Sequence, residues 1–510
     1  MKTIERINPK NISAFNKTFI TITVMLATII EILDMTIVNV ALPPMMGELG
    51  ANSDQITWVL TSYIVSSAIV IPLTGFLVTR FGRKKLLLTN IIGFLIASML
   101  CGLSTTLAQI VFFRTCQGVF GAALVPLSQY ILSDIFEKKD QGKAMAIWGI
   151  GIMVAPVLGP TLGGYITEAM NWRWVFYINL PVCLLTFFLA LQFIKETPTK
   201  PQKIDWTGLA LMAIGIGCLQ IFLDRGNTND WFNSKLIIIL CVIWIFALTI
   251  FVIRGLTYKD NIINLRLFKN RNFMAATVML TIFGIAMFGI ISVVPIMLEH
   301  LMGYTAELAG LFMAPRAVAA AIGMLVTSKL MKHYDHRLII LLGIVLTAYG
   351  TYGMCYYNLY SSFSSMLLPT IIQGFGSGLF FVPLSTAALS TLSPKDAAEG
   401  AGLFNFGRSL GGSIGISLIS TLITRESQIN WNRLTSYIHA ASYRFEHWKN
   451  AIHHVITTSP FVIQQAVTEV EKQSMMIAFV DAYWIVALGL IIMLPLILVM
   501  KKEKEKENRT

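Results

Sequence analysis

The sequence predicts an all-α membrane protein: two six-helix halves with two further helices inserted between them, fourteen transmembrane helices in all. Three observations carry this. The 510 residues are 55% hydrophobic and only 13% charged, whereas soluble domains carry about 25% charged residues. Fourteen apolar segments approach the roughly 20 residues a helix needs to cross a bilayer. Finally, "QGVFGAALVPLS" (117–128) returns as "QGFGSGLFFVPLS" (373–385) with one residue inserted, and Lys139-Asp140 returns as Lys395-Asp396.

The first segment, about 18–42, follows a polar, basic stretch. It is too long for the apolar core of a leader peptide and reads as a span. The next five lie at about 56–79, 86–106, 109–133, 144–167 and 174–194. They complete a first half, 1–194. Two inserted spans, about 206–223 and 236–254, fall in the segment 195–271. The second half, 272–510, holds spans at about 273–298, 308–329, 338–357, 364–391, 400–423 and 476–500, with an outer loop over 424–475. The repeat makes the fourth and twelfth helices equivalent. Repeated halves are the expected architecture of many secondary transporters, with substrate held between them near the midplane.

Charge orients these spans. With the N-terminus inside, cytoplasmic segments hold 28 of the 39 Lys and Arg and outer loops hold 8. The positive-inside rule then places both termini in the cytoplasm. The net charge of +12 follows from those loops and needs no nucleic acid. The six cysteines lie in apolar segments without CxxC spacing, so neither a disulfide framework nor a thiolate metal site is expected. His439, His447, His453 and His454 lie in the outer loop without ligand spacing and read as solvated. No metal and no cofactor is expected.

Several intramembrane residues are candidates for chemistry. "EILDMTIVNVALP" (31–43) places Glu31 and Asp34 at i, i+3, on one helix face. A charged Asp inside a span costs about 2.5–3.5 kcal/mol on insertion scales and is a functional candidate by default. Burial disfavours the ionised form of a carboxyl, which suits a group that loads and releases protons. Arg114 precedes Gln117 by three residues, while Thr370 stands at the equivalent place before Gln373. A charge present in one half only points beyond architecture. Arg114 could bind an anion or pair with a carboxylate. Proton coupling is assigned to Asp34, Glu31 and Arg114, and a substrate cavity to Asp34, Arg114, Gln117, Gln373 and Arg408. Arg316, Arg225 with Asp224, and Asp481 read as structural.

Glycine patterning marks the moving parts. In "GFLVTRFGRKKLLL" (75–88), Gly75 permits close packing and Gly82 a tight turn. Arg80 or Arg83 could latch onto acids or carbonyls at neighbouring helix ends. "GIGIMVAPVLGPTLGG" (149–164) carries Pro156 and Pro160, which an isolated helix tolerates poorly. Its Ala155, Gly159 and Gly163, followed by Gly164, make a smooth face expected to seal one side of a transporter. "NFGRSLGGSIG" (405–415) repeats the theme with Gly407, Gly411 and Gly415. Arg408 is offset from that face and should find an acid or a carbonyl. Ser459-Pro460 resembles a helix N-cap and first turn.

Together these stretches resemble the motifs A, B and C of the major facilitator superfamily. With fourteen spans and "LDMTIVNVALP", the chain resembles the DHA2 family of drug:proton antiporters, and its EmrB-like members in particular. "LQIFLDRGNTNDWF" (219–232) and "LRLFKNRNF" (265–273) share in that likeness. The resemblance implies export of hydrophobic, diverse compounds driven by inward proton flow across a bacterial inner membrane. It implies a periplasmic adaptor (EmrA-like) and an outer-membrane channel (TolC-like). It makes Asp34 the proton-linked acid and Arg114 the motif B arginine. One departure is Thr79, where many members carry an acid, so a latch would rely on Arg80, Arg83 and helix-end groups. An exporter of one metabolite or siderophore is the nearest alternative. An intramembrane lipid-acting enzyme is disfavoured, since there is no HExxH and no paired His–acid site within a span. There is also no GxxxxGK[ST] for ATP. A channel fits the repeated glycine faces less well than rocking halves do.

Overall fold

The computed structural model describes residues 12–200, 203–258, 261–438, 443, 447 and 459–501. Among these it is helical throughout, with fourteen helices long and apolar enough to span a membrane. They are α1 Ala14–Glu48, α2 Ser53–Phe81, α3 Arg83–Leu103, α4 Leu107–Ile135, α5 Lys138–Ala169, α6 Trp174–Phe193 and α7 Trp206–Gly226. There follow α8 Lys235–Thr257, α9 Arg271–Leu301, α10 Ala306–Leu330, α11 His336–Met354, α12 Phe363–Ser390, α13 Ala397–Thr435 and α14 Ser459–Ile492.

Local chemistry explains where these helices start, bend and stop. Ser13 caps α1 by accepting a hydrogen bond from the Asn16 N–H, and Asp205 caps α7 through the Gly208 N–H. Pro72 has no N–H to donate, and α2 tightens into a 3₁₀ turn at Ile71–Leu73. Gly82 ends α2 with φ at +82°, a region that side chains other than glycine enter only with strain.

The two halves are packed alike. In the first, α1 lies on α4, α5 and α6, α2 on α4, and α3 on α4 and α6. In the second, α9 lies on α12, α13 and α14, α10 on α12, and α11 on α12 and α14. The pair α7–α8 packs on itself and reaches the bundle through α2 and α13. Ile239, Phe246, Ile250 and Ile253 of α8 are exposed, as a lipid-facing surface requires.

The halves meet where α5 runs against α10 and α12, and where α13 runs against α2 and α4. At the end carrying the basic loops, the backbone of Gly75 abuts that of Glu399 on α13. There too the Asn405 amide donates to Gln129 Oε1 at 2.6 Å, and Trp148 stacks on Phe381 at 5.7 Å. This end of the bundle is closed.

One expectation is corrected. α13 runs to Thr435, so the beginning of the outer loop 424–475 is helix continuous with its span, while α14 starts at Ser459, where Ser459-Pro460 marks a helix start. Hydropathy reports the thickness of the apolar layer, not where backbone hydrogen bonding stops. His439, His453, His454, Trp448 and the tail from 502 lie outside the described residues. The glycine face of α5 packs on α1. A Cβ on Gly159 would meet Thr36 and Ile37 of α1, and one on Gly163 the Ile37 carbonyl. Contacts of α5 with the second half include Gly142 beside Met331, Gly149 beside Met324 and Phe381, and Thr161 beside Gly310 of α10. Gly164 has open space beside it apart from Val40, and Pro160 is exposed.

Candidate polar network within the first half

Asp34 is fully buried on α1, and so are Arg114 and Gln117 on α4. Arg114 Nη1 donates to Asp34 Oδ2 at 2.6 Å. Asp34 Oδ1 accepts from Gln117 Nε2 at 2.8 Å and from Asn179 Nδ2 at 2.7 Å. Arg114 also donates from Nε to the Val59 carbonyl at 3.1 Å and from Nη1 to Gln117 Oε1 at 2.8 Å. Its guanidinium lies over the Tyr63 ring at 4.3 Å. Ser98 Oγ accepts from Asn179 at 3.0 Å and from Gln117 at 3.2 Å, and donates to the Phe176 carbonyl at 3.0 Å. Five helices, α1, α2, α3, α4 and α6, thus converge on one carboxylate.

The arrangement has a chemical consequence. Three N–H donors aim at the two oxygens of Asp34, so the ionised form is fully satisfied. Adding a proton would set an O–H against one of those donors and force a partner away. A buried ion pair contributes little net stability while whole but is costly to break one-sidedly. Protonation of Asp34 therefore cannot leave its neighbours unmoved. Asn179 and Ser98 went unread in the sequence; the signal available was an amide and a hydroxyl inside otherwise apolar runs.

Glu31 lies one turn away but has other company. It is buried, and the charge that acts on it most is Arg408 of α13, in the second half. The expected shared face holds, yet the two carboxylates serve different partners. The Glu31 charge acts in turn on Arg408, whose buried Nε makes no hydrogen bond. Gln373 is fully buried and donates to Thr351 at 2.9 Å, as Gln117 does to Ser98. Gln117 and Gln373 are thus each held inside their own half.

Near the basic end, Arg83 bonds Asp134 at the end of α4 at 2.8 Å and the Lys195 carbonyl at 3.0 Å. This is the acid-and-carbonyl arrangement expected of a latch, formed within one half. Arg80 lies over Phe81 at 5.7 Å, and Thr79 turns its hydroxyl onto the Gly75 carbonyl at 2.9 Å. Asp224 and Arg225 tie α7 to α2: Thr61 donates to Asp224 at 2.5 Å, and Arg225 to the Asp54 carbonyl at 3.0 Å. No cluster of three or more metal-ligating side chains occurs among the described residues.

The family model described as the Major Facilitator Superfamily matches residues 24–416. The chain is 36% identical over 480 residues to the multidrug export protein EmrB of Escherichia coli K12, covering 94% of each. It is 36% identical over 422 residues to the fatty acid resistance protein FarB of Neisseria gonorrhoeae, covering 82% of this chain and 83% of that one. Among solved structures, the proton:xylose symporter XylE superposes with a TM-score of 0.62 at 13% identity, over 97% of this chain and 98% of that one.

Proposed function

The chain belongs to the major facilitator superfamily, and from that premise we propose that it exports hydrophobic small molecules in exchange for protons, by alternating access. It is a multi-pass membrane transporter with EmrB-like relatives. Proton exchange at Asp34 is the finer reading, and the three-donor cradle around that carboxylate carries it. In the closed-at-the-basic-end state, Asp34 is ionised and paired with Arg114. A proton arriving from the far side would neutralise it, release a donor and loosen α1 from α4. The close, side-chain-poor contact of α1 with α5 lets α1 slide rather than unpack. The seal of Gly75 on Glu399 and of Gln129 on Asn405 would then part, and the proton would leave to the cytoplasm as cargo enters. Glu31 and Arg408, one from each half, would report the same movement. One proton crossing about 100 mV releases roughly 2.3 kcal/mol. That sustains a concentration ratio of a few tens for a neutral cargo, at about 1.4 kcal/mol per tenfold.

The multidrug and fatty-acid-resistance names of the relatives support hydrophobic cargo. The basic loops support cytoplasmic termini and, in a bacterium, the inner membrane. A periplasmic EmrA-like adaptor, feeding a TolC-like channel, fits the helical extension beyond the span. The twelve residues 424–435 of α13 would project it by about 18 Å, and Trp431, Asn432 and Glu471 line a groove between the two extended helices. The test is Asp34→Asn in proteoliposomes. The variant is expected to insert and to bind cargo, and to lose uphill efflux. Efflux as strong as the wild type's would remove Asp34 from the mechanism.

A further inference from the structure

The second half carries an arginine of its own with no acid to answer it. Arg316 lies mid-way along α10 and is 8% exposed. Its one hydrogen-bonding contact is a weak one, from Nη2 to the Met287 sulfur of α9 at 3.8 Å. No carboxylate lies within ion-pair distance of it among the described residues.

The internal repeat shows what is missing. Gln117-Gly118 corresponds to Gln373-Gly374. A Cβ on Gly118 would meet the Tyr63 carbonyl, and one on Gly374 would meet the Arg316 carbonyl. Arg316 therefore stands where Tyr63 stands in the first half, beside the place that Arg114 occupies there. Thr370 holds Arg114's place and is satisfied by the Met366 carbonyl at 2.9 Å and by Tyr357 at 3.2 Å. The first half supplies its arginine with Asp34; the second offers Arg316 a thioether. A guanidinium stays charged at any working pH, and a buried unpaired charge is expensive. One helical turn before Met287 on the same face, Phe283 stacks on Phe380 at 4.4 Å. A cation in these apolar surroundings suits a molecule with a charged oxygen head and an apolar body.

We propose that Arg316 is the anion-binding subsite of the transport pathway, taking the carboxylate of amphipathic organic acids. This rests on the exporter reading and adds a substrate class to it. Cargo would supply, during its passage, the counter-charge that the second half lacks.

The test uses purified full-length protein in nanodiscs and three probes with one apolar body: pyrenebutyrate, pyrenebutanol and a pyrenebutyl-trimethylammonium salt. Binding is read by fluorescence, without a proton gradient, so the outcome does not depend on coupling through Asp34. Arg316→Gln is expected to weaken pyrenebutyrate by about tenfold or more, the scale of a charge-assisted bond. It should leave the alcohol within about twofold and the ammonium unchanged or tighter. Arg316→Lys should retain part of the preference. Met287→Glu, which restores an acid beside an intact arginine, should abolish the preference for the carboxylate and raise the melting temperature. Equal carboxylate affinity in wild type and Arg316→Gln would overturn the proposal. So would a parallel loss of all three probes, or a Met287→Glu protein that still prefers the anion.

Discussion

At the residue scale, the network works as one unit. Removing Arg114 strands a buried carboxylate, and leaving one partner of a buried pair alone costs about 3–5 kcal/mol. Arg114→Gln should therefore unfold at markedly lower temperature than wild type. Arg114→Gln combined with Asp34→Asn should recover most of that loss, because no unpaired charge remains, and yet stay without uphill efflux. A thermal-shift measurement on the double-mutant cycle reads the coupling directly. If the double variant is no more stable than Arg114→Gln alone, the pair does not interact as described. Asp34 and Arg114 were legible in the sequence because a charge within an apolar run is conspicuous. Asn179 and Ser98 were not, because uncharged polar residues are common in spans and only tertiary packing decides which of them meet. The same limit hid the different partners of Glu31 and Asp34. Spacing gives a helix face, but neighbouring side chains on that face can still point at different helices.

At the element scale, the glycines separate into tight and loose positions. Gly159→Ala forces a side chain onto Thr36 and Ile37 and should destabilise the α1–α5 pair. Gly164→Ala meets only Val40, at 3.9 Å, and should be neutral or slightly stabilising, since alanine outranks glycine in a helix by about 0.5–1 kcal/mol. Reversed order in a thermal-shift assay would refute this contact map. The sequence marked the every-fourth-residue face correctly but not which helix it meets, since small residues advertise a close neighbour without naming it. The α7–α8 hairpin offers a pH signature. Burial pushes the Asp205 carboxyl up, but the Arg254 hydrogen bond, the Gly208 N–H and the guanidinium charge outweigh it and leave it below its ordinary value. A carboxyl lowered by folding adds stability above its ordinary value. That stability is lost as pH falls through the lowered one. Asp205→Asn should thus be less stable than wild type at neutral pH, with the gap closing as pH drops below about 4. A gap that stays constant from pH 7 to pH 3 would show that the ion pair contributes nothing.

At the scale of the whole molecule, the duplicated packing was visible beforehand in one repeated dozen of residues. The closure of one end was not, because it depends on contacts between helices far apart in sequence: Gly75 with Glu399, Gln129 with Asn405, Trp148 with Phe381. A wedge should undo it. Gly75→Leu is expected to make a cysteine placed at Gln129 react faster with a water-soluble maleimide added from the side of the basic loops, and an unchanged rate would mean that this contact does not hold the halves shut. Above all stands the proposed exchange of cargo for protons at one cradled carboxylate. Its most direct measurement is efflux against a concentration gradient in proteoliposomes under an imposed pH difference, wild type beside Asp34→Asn. The wild type should pump only while the pH difference lasts, and the variant not at all. Uphill pumping by the wild type with no pH difference or voltage, or by the variant with one, would contradict proton exchange at Asp34.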